Sequence, residues 1–213
     1  GSIQWLKQVG DDLTYEDSFG VAIDSSDNVY ITGWAFSGLN GVSSNGGSEM
    51  FLVKYNSAGV IQWTKLMGTT EAELGYDVAI DSSGNAYVTG YTSGTLDGTS
   101  AGMSDIFLVK YNSSGDKQWT RQLGTSGHDY GYAVAVDSSG NAFVTGYTPG
   151  GLDGNSFQGT NTPDTFLVKY NSSGTKQWTE QVGEGAWNGG HDVTTDSSGN
   201  AYVTGYTKGT IDG

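Results

Sequence analysis

Residues 137–147 read Asp-Ser-Ser-Gly-Asn-Ala-Phe-Val-Thr-Gly-Tyr, a polar turn followed by a run of strand-forming residues. Asp, Asn and Gly suit the geometry of a tight hairpin turn, and the alternating side chains after it are typical of a β-strand. The turn recurs at intervals of 56 to 59 residues, starting at Asp24, Asp81, Asp137 and Asp196. The chain is therefore built from four copies of one β-unit.

Two more motifs recur in the same register as this turn. The dipeptide Gln-Trp occurs in all four copies, and the hexapeptide Phe-Leu-Val-Lys-Tyr-Asn occurs in three. Each full copy contains four predicted strands, A to D in chain order, which in the second copy cover residues 75–81, 86–92, 106–111 and 117–123. The tryptophans of the dipeptide are Trp5, Trp63, Trp119 and Trp178, and the hexapeptides start at Phe51, Phe107 and Phe166.

A four-stranded antiparallel meander cannot bury both of its faces alone, so each unit must stack on its neighbours. Tandem repeats of this length with four strands each are typical of the blades of a β-propeller. We therefore predict an all-β fold, a single β-propeller domain over residues 1–213 with four blades. The repeats cover about 1–56, 57–112, 113–171 and 172–213.

The stretch at 137–147 and the hexapeptide at 107–112 resemble the bacterial seven-bladed beta-propeller (SBBP) repeat. The resemblance extends over essentially the whole chain. It implies a propeller outside or on the surface of a bacterial or archaeal cell, with a role that does not involve catalysis. The chain has four repeats, so closure into a seven-bladed ring does not follow from the resemblance.

The predicted strand order is D, then A to D three times, then A and B, so the last blade lacks its third strand. The first strand, Ile3 to Val9, is a strand D that could complete this blade. Three interpretations stay open: a strand from another molecule fills the gap, the blade is three-stranded, or the chain is a fragment. Strand sharing between subunits would place five residues at the interface: Ile3, Trp5, Tyr202, Thr204 and Tyr206.

The net charge of −14, from 9 basic and 23 acidic side chains, argues against a nucleic-acid partner or an anionic membrane surface. No apolar run is long enough for membrane insertion. The chain has no cysteine, so disulfides and thiolate metal sites are excluded. Catalytic motifs are absent, and acids repeated at equivalent positions lack the asymmetric roles of an active site, so we expect no enzyme activity.

Acidic residues gather in the loops that join strand D to A and strand B to C, which lie at the same end of a propeller. Carboxylate oxygens are the ligands that Ca²⁺ prefers, so these loops predict calcium binding. The alternative is that the acids form turns and solvate the loops, because no loop has the spacing of a known calcium motif. The candidate ligands are Glu16, Glu73, Asp129, Asp97, Asp105, Asp153 and Asp164.

Four aromatic residues in or beside these loops depart from the repeat, and such rings can hold a sugar or can simply pack the loops. We hypothesise a non-enzymatic extracellular structural protein whose subunits join by strand complementation into a filament or higher oligomer. The alternative hypothesis is a cell-surface module that binds carbohydrate or protein. Its candidate ligand-binding residues are Trp34, Phe36, Phe157 and Trp187.

Overall fold

The structure is a computed structural model and describes residues 1–10, 15–98, 100–155, 157, 162–183 and 185–209. Its regular elements are fourteen β-strands and one 3-10 turn at Leu152–Gly154. No helix in this described part is long and apolar enough to cross a bilayer.

Blade 1 contains β1 (Glu16–Ile23), β2 (Val29–Phe36), β3 (Ser48–Tyr55) and β4 (Ile61–Met67). Blade 2 contains β5 (Glu73–Ile80), β6 (Ala86–Thr92), β7 (Asp105–Tyr111) and β8 (Lys117–Leu123). Blade 3 contains β9 (Tyr130–Val136), β10 (Ala142–Thr148), β11 (Asp164–Tyr170) and β12 (Lys176–Val182), and blade 4 contains β13 (Asn188–Thr195) and β14 (Ala201–Thr207).

Each of the first three blades is an antiparallel meander in chain order, and the fourth sheet pairs β13 with β14. The predicted all-β fold, the four sheets and the shortened last blade are therefore confirmed. The prediction of a strand over Ile3–Val9 is wrong, since residues 1–9 form no strand. A strand D needs a strand C beside it to supply hydrogen bonds, and the described chain places none next to this segment.

The blades stack through their first strands, because β1 contacts β5, β5 contacts β9 and β9 contacts β13. Separate apolar clusters fill the junctions between blades. The cluster between blades 1 and 2 includes Met50 and Leu52 from one side and Val88 and Phe107 from the other, all fully buried. This burial is the main source of stability in a stacked repeat, where each unit is held by its neighbours.

The repeated Asp of the turn motif forms a turn and also joins two blades. Asp81 Oδ1 accepts hydrogen bonds from the backbone N–H groups of Ser83 and Asn85 at 2.9 and 3.0 Å. Its Oδ2 accepts one from the hydroxyl of Tyr87, which also donates to Gly140 O in the next blade at 3.1 Å. The prediction that these Asp residues form turns is confirmed, and the contact to the next blade adds a second role.

Every first strand contains one β-bulge. In blade 3 the bulge leaves Tyr132 without a partner in β10, between the pairs Gly131–Gly146 and Ala133–Thr145. The backbone bends there, and Tyr130 O comes so close that a Cβ on Gly146 would lie 1.8 Å from it. The Thr-Gly-Tyr sequence of β10 therefore has its glycine where the bulge leaves no room for a side chain.

The N-terminal segment packs on blade 1 even though it forms no strand. Trp5 stacks on Tyr55 with ring centroids 6.0 Å apart, and its Nε1 donates to Ser57 O at 3.1 Å. Trp63 donates in the same way to Ser113 O of the blade that follows it, at 3.4 Å. The segment around Trp5 thus lies where strand D of a blade preceding blade 1 would lie.

Candidate functional site

Two aromatic positions recur in every blade and together form what we call the aromatic belt. One is the bulged residue of the first strand, and the other follows the glycine of the second strand. A bulge re-aims the side chain of its extra residue, which explains why both positions of a blade come together. The belt consists of Phe19, Tyr76, Tyr132 and His191 at the bulges and Trp34, Tyr91, Tyr147 and Tyr206 on the second strands.

Ring contacts link the belt from blade to blade. The ring centroids are 5.5 Å apart between Tyr76 and Tyr132, 6.2 Å between Tyr132 and His191, and 5.2 Å between His191 and Tyr206. These four residues and Tyr147 line an open cavity of ≈ 330 Å³. The cavity is a concave aromatic surface that three blades build together, which is the usual form of a small-ligand site.

The phenols of Tyr76 and Tyr147 stay protonated. Burial, followed by the neighbouring phenols, raises the pKa of Tyr76 and of Tyr147 above the ordinary value of 10. Tyr76 and Tyr147 therefore present uncharged phenol groups to the cavity at physiological pH.

The four predicted ligand-binding residues largely differ from the aromatic belt, and their role in ligand binding stays a prediction. Of the four predicted ligand-binding residues only Trp34 belongs to the belt. Phe36 and Trp187 lie outside the belt, and each is 48% exposed. The ring centroid of Trp187 is 5.7 Å from Lys208 Nζ. Phe157 is half-buried in a loop of blade 3. The signal for the belt was the repeated Thr-Gly-aromatic sequence, which looks like ordinary strand alternation until the bulge is known.

The predicted calcium ligands at the start of each first strand have partners within the protein. Glu73 is fully buried and accepts hydrogen bonds from the backbone N–H of Thr69 at 2.7 Å and from the hydroxyls of Thr69 and Thr92. Asp129 accepts from Thr125 in the same way. These carboxylates fix the loop between blades. Glu16 occupies the equivalent place in blade 1, where a Cβ on Gly10 would lie 2.5 Å from its Oε2.

The acids that begin the third strands of blades 1 to 3 are buried, and only one of the two carboxylate oxygens of each accepts a hydrogen bond from a described residue. Asp105 Oδ2 accepts from Gln122 Nε2 at 2.7 Å, and Asp164 Oδ2 accepts from Gln181 Nε2 at 2.9 Å. The other carboxylate oxygen of each, like Oε2 of Glu49, is buried and has no hydrogen-bond partner among the residues that the structure describes. Burial raises the pKa of Asp164, although its hydrogen bond to Gln181 opposes this.

The remaining two predicted ligands form ion pairs with strand D. Asp97 Oδ2 lies 3.4 Å from Arg121 Nη1, and Asp153 pairs with Lys176 and accepts from Thr179 Oγ1. Within the described residues no three acidic or histidine side chains are grouped as a metal site would require. The seven predicted ligands thus have three kinds of environment in the structure, and calcium binding stays a prediction.

Asp164→Asn is expected to raise the melting temperature at pH 7. A carboxyl with a raised folded pKa stabilises the fold below its unfolded pKa, and this contribution is lost as pH rises through the folded pKa. At neutral pH the buried, ionised carboxylate of Asp164 therefore lowers the free energy of unfolding. Asparagine removes the charge and keeps an oxygen that accepts the hydrogen bond from Gln181. Melting followed by circular dichroism from pH 7 to 3.5 should show the gain shrinking towards acid.

The matched control for this substitution is Asp153→Asn, which removes a loop carboxylate that has an ion-pair partner. Asp153→Asn should not raise the melting temperature at pH 7, because it loses the pair with Lys176. A gain for Asp153→Asn equal to that for Asp164→Asn would contradict the assignment of the effect to burial.

The two ends of the stack carry apolar residues that are buried at every internal junction. Val21 of β1 is 65% exposed, whereas its equivalents Val78 and Val134 are each 4% exposed. Tyr202 of β14 is 57% exposed, whereas its equivalent Tyr87 is fully buried. Each end thus presents the surface that a further blade would cover.

The predicted interface residues fall on these ends. Tyr202, Thr204 and Tyr206 lie on β14, whose only strand partner in the described chain is β13. Beside β14 is a largely apolar cavity of ≈ 240 Å³ lined by Val182 of blade 3 and Val203 of blade 4, among others. Ile3 is 84% exposed in the segment that packs on blade 1. The donor and acceptor of the predicted strand sharing thus lie at opposite ends.

Comparison with known proteins agrees with the repeat architecture. The sequence pattern of the SBBP beta-propeller repeat matches at residues 4–39, 62–96, 118–153 and 177–211, which confirms the predicted resemblance. An uncharacterized WD repeat-containing protein of Acanthamoeba polyphaga mimivirus is 25% identical over 96% of the chain. Regulatory protein FlaEY of Caulobacter vibrioides is 30% identical over 54% of it. The chain spans 19% and 13% of the lengths of these two relatives.

Proposed function

Because the chain belongs to the SBBP family of beta-propeller repeats, we propose that it is a non-enzymatic structural protein that assembles head to tail with further copies of itself. In this proposal blade 4 of one copy docks on blade 1 of the next. The assembly works outside the cell or on the surface of a bacterium or an archaeon, where the absence of cysteine is no disadvantage.

The observation that carries the proposal is that the two exposed ends are complementary copies of the internal junctions. At the junction of blades 2 and 3, Tyr87 donates to Gly140 O and Val134 is buried. Tyr202 at one end and Val21 at the other are the equivalents of these two residues. A second copy can therefore form with the first the same packing that each blade forms with its neighbour.

The open edge of β14 lies at only one end of the stack, so the contact between two copies runs head to tail. Unpaired strand edges readily accept another strand, and the cavity beside β14 has room for side chains of an added strand. The segment that bears Ile3 and Trp5 lies at the opposite end, so it can enter the incomplete blade of the preceding copy. A head-to-tail contact of this kind builds a filament, or a ring where the rotation closes.

Sedimentation velocity over a range of concentrations tests this proposal, with electron microscopy of the largest species. The unmodified protein should form oligomers, whereas Val21→Asp and Tyr202→Asp should each reduce assembly because each buries a charge in one face. Mixing the two variants should give dimers and no larger species, since each keeps one intact face. Met103→Asp is the control, because Met103 is 63% exposed on a loop away from both ends.

Monomers at all concentrations, or equal disruption by Met103→Asp, would count against head-to-tail assembly. The same measurements with and without chelator test the proposed role of calcium. Assembly and melting temperature that do not change on chelation would remove calcium from the proposal.

A second candidate function is a surface module that binds a ligand such as carbohydrate. The aromatic cavity favours it, because three blades contribute its lining and its rings are only half-buried or exposed. Val21 and Tyr202 do not line the aromatic cavity, whereas Tyr206 lines both this cavity and the one beside β14.

A further inference from the structure

The lining of the aromatic cavity is unusual for a site that binds sugar. Its residues are Tyr76, Tyr132, Tyr147, His191 and Tyr206, with no carboxylate, amide or guanidinium among them. Sugar sites pair an aromatic surface with several such polar groups, because each buried sugar hydroxyl needs a hydrogen-bond partner. Among the described residues, the phenol hydroxyls and the imidazole of His191 are the only polar side-chain groups of the lining. The cavity thus offers many ring surfaces and few polar groups.

Aromatic rings also attract cations, because the quadrupole of each ring places negative charge on its face. Four tyrosines and one histidine surround this cavity, and none of the lining residues is Lys or Arg. Such a lining suits a cation that makes no hydrogen bonds of its own. An organic ammonium with alkyl groups on nitrogen has this property.

The negative charge around the cavity also favours a cation as the ligand. Asp77 and Asp192 follow the lining residues Tyr76 and His191 directly in the chain. They are close enough for their carboxylates to interact, since burial and then the charge of Asp192 raise the pKa of Asp77. The chain as a whole has a net charge of −14. Such a field raises the local concentration of cations and lowers that of anions.

We propose that the aromatic cavity binds an alkylated organic ammonium group, such as a quaternary ammonium headgroup or a methylated lysine side chain. The rings of Tyr76, Tyr132, Tyr147 and Tyr206 hold the cation, and His191 closes the cavity at the blade 4 side. This names the ligand class of the second candidate function and rests on it.

Isothermal titration with choline tests the inference, with 3,3-dimethyl-1-butanol as a neutral probe of the same shape. Choline should bind saturably, and the neutral probe should bind about tenfold more weakly. Tyr206→Leu should weaken choline binding about tenfold, whereas Tyr206→Phe, which keeps the ring, should bind within about twofold of the unmodified protein. Tyr206 suits this test because it lies on the terminal sheet, and melting curves of both variants verify that they fold.

Equal binding of choline and the neutral probe would overturn the inference, as would equal losses for Tyr206→Leu and Tyr206→Phe. A glycan array separates the inference from the function on which it rests. Binding of a neutral glycan that Tyr206→Leu abolishes, without choline binding, would refute the ammonium ligand and leave the ligand-binding module standing. The absence of binding for both classes would refute both.

Discussion

Gly146→Ala is expected to lower the melting temperature by about 6–12 °C, which corresponds to about 3 kcal/mol in a chain of this size. A Cβ at this position would lie 1.8 Å from the carbonyl oxygen of Tyr130, and backbone atoms on paired strands cannot move apart without breaking hydrogen bonds. The methyl group of alanine and the bulged backbone at Tyr132 therefore cannot fit together without a shift of the strands. Thermal unfolding followed by far-ultraviolet circular dichroism measures the loss.

Gly150→Ala is the matched control for this prediction. Its Cβ would lie 3.0 Å from side-chain atoms of Thr125, a much smaller overlap than the 1.8 Å approach to a backbone carbonyl at Gly146. We expect Gly150→Ala to cost less than about 1 kcal/mol. A melting temperature for Gly146→Ala within 2 °C (roughly 0.5–1 kcal/mol) of the unmodified protein would show that the bulge is not needed.

The local structure of the repeat could be predicted from sequence because each signal is local. In blade 2 the predicted strands B and D agree with β6 (Ala86–Thr92) and β8 (Lys117–Leu123) at both ends. The turn residues Asp81, Gly84 and Asn85 determine where β6 begins, since turn chemistry depends on a few neighbouring residues. Strand A extends two residues further towards the N-terminus, to Glu73, because the buried carboxylate there holds the loop in strand geometry.

The bulges could not be predicted, because a bulge is a property of two strands in register. Nothing in the sequence around Tyr132 shows that it lacks a partner on β10. The opposing Gly146 was visible, but a glycine in a strand has several explanations. The aromatic belt depends on the bulges, so it was missed together with them.

The acids were assigned to calcium because composition does not show which oxygens are already in use. Thr69 and Glu73 are four residues apart, as are Thr125 and Asp129. This spacing lets the carboxylate accept from the backbone N–H and the hydroxyl of the threonine. The repeated Thr-x-x-x-acid pattern was therefore the signal for a structural role in these two copies.

The N-terminal segment shows that an identical motif can have a different structure. Residues 3–9 carry the same Gln-Trp as β4 and β8, and Trp5 makes the same kind of contact as Trp63. A strand, however, needs a partner for its backbone, and no sequence motif can show whether the partner is present.

Asp81→Ala is expected to destabilise the protein by about 3 kcal/mol, because it removes several contacts of one buried carboxylate at once. The backbone N–H groups of Ser83 and Asn85 lose their acceptor, and so does the side-chain amide of Asn85. The ammonium of Lys110, which lies 3.8 Å from Asp81 and is almost fully buried, also loses its counter-charge. Urea unfolding measures the loss as a change in the free energy of unfolding.

Two further variants separate the turn from the charge. Asp81→Asn keeps an oxygen for the two backbone N–H groups and should cost less than Asp81→Ala. Asp81→Ala combined with Lys110→Met removes the unpaired ammonium and should recover part of the lost stability, as a double-mutant cycle would show. Asp196→Ala is the control in blade 4, where Tyr202 is exposed and no equivalent lysine lies within the described residues, so its effect should be smaller. Equal losses for Asp81→Ala and Asp196→Ala would show that the turn alone accounts for the effect, and that this carboxylate adds nothing to the contact between blades.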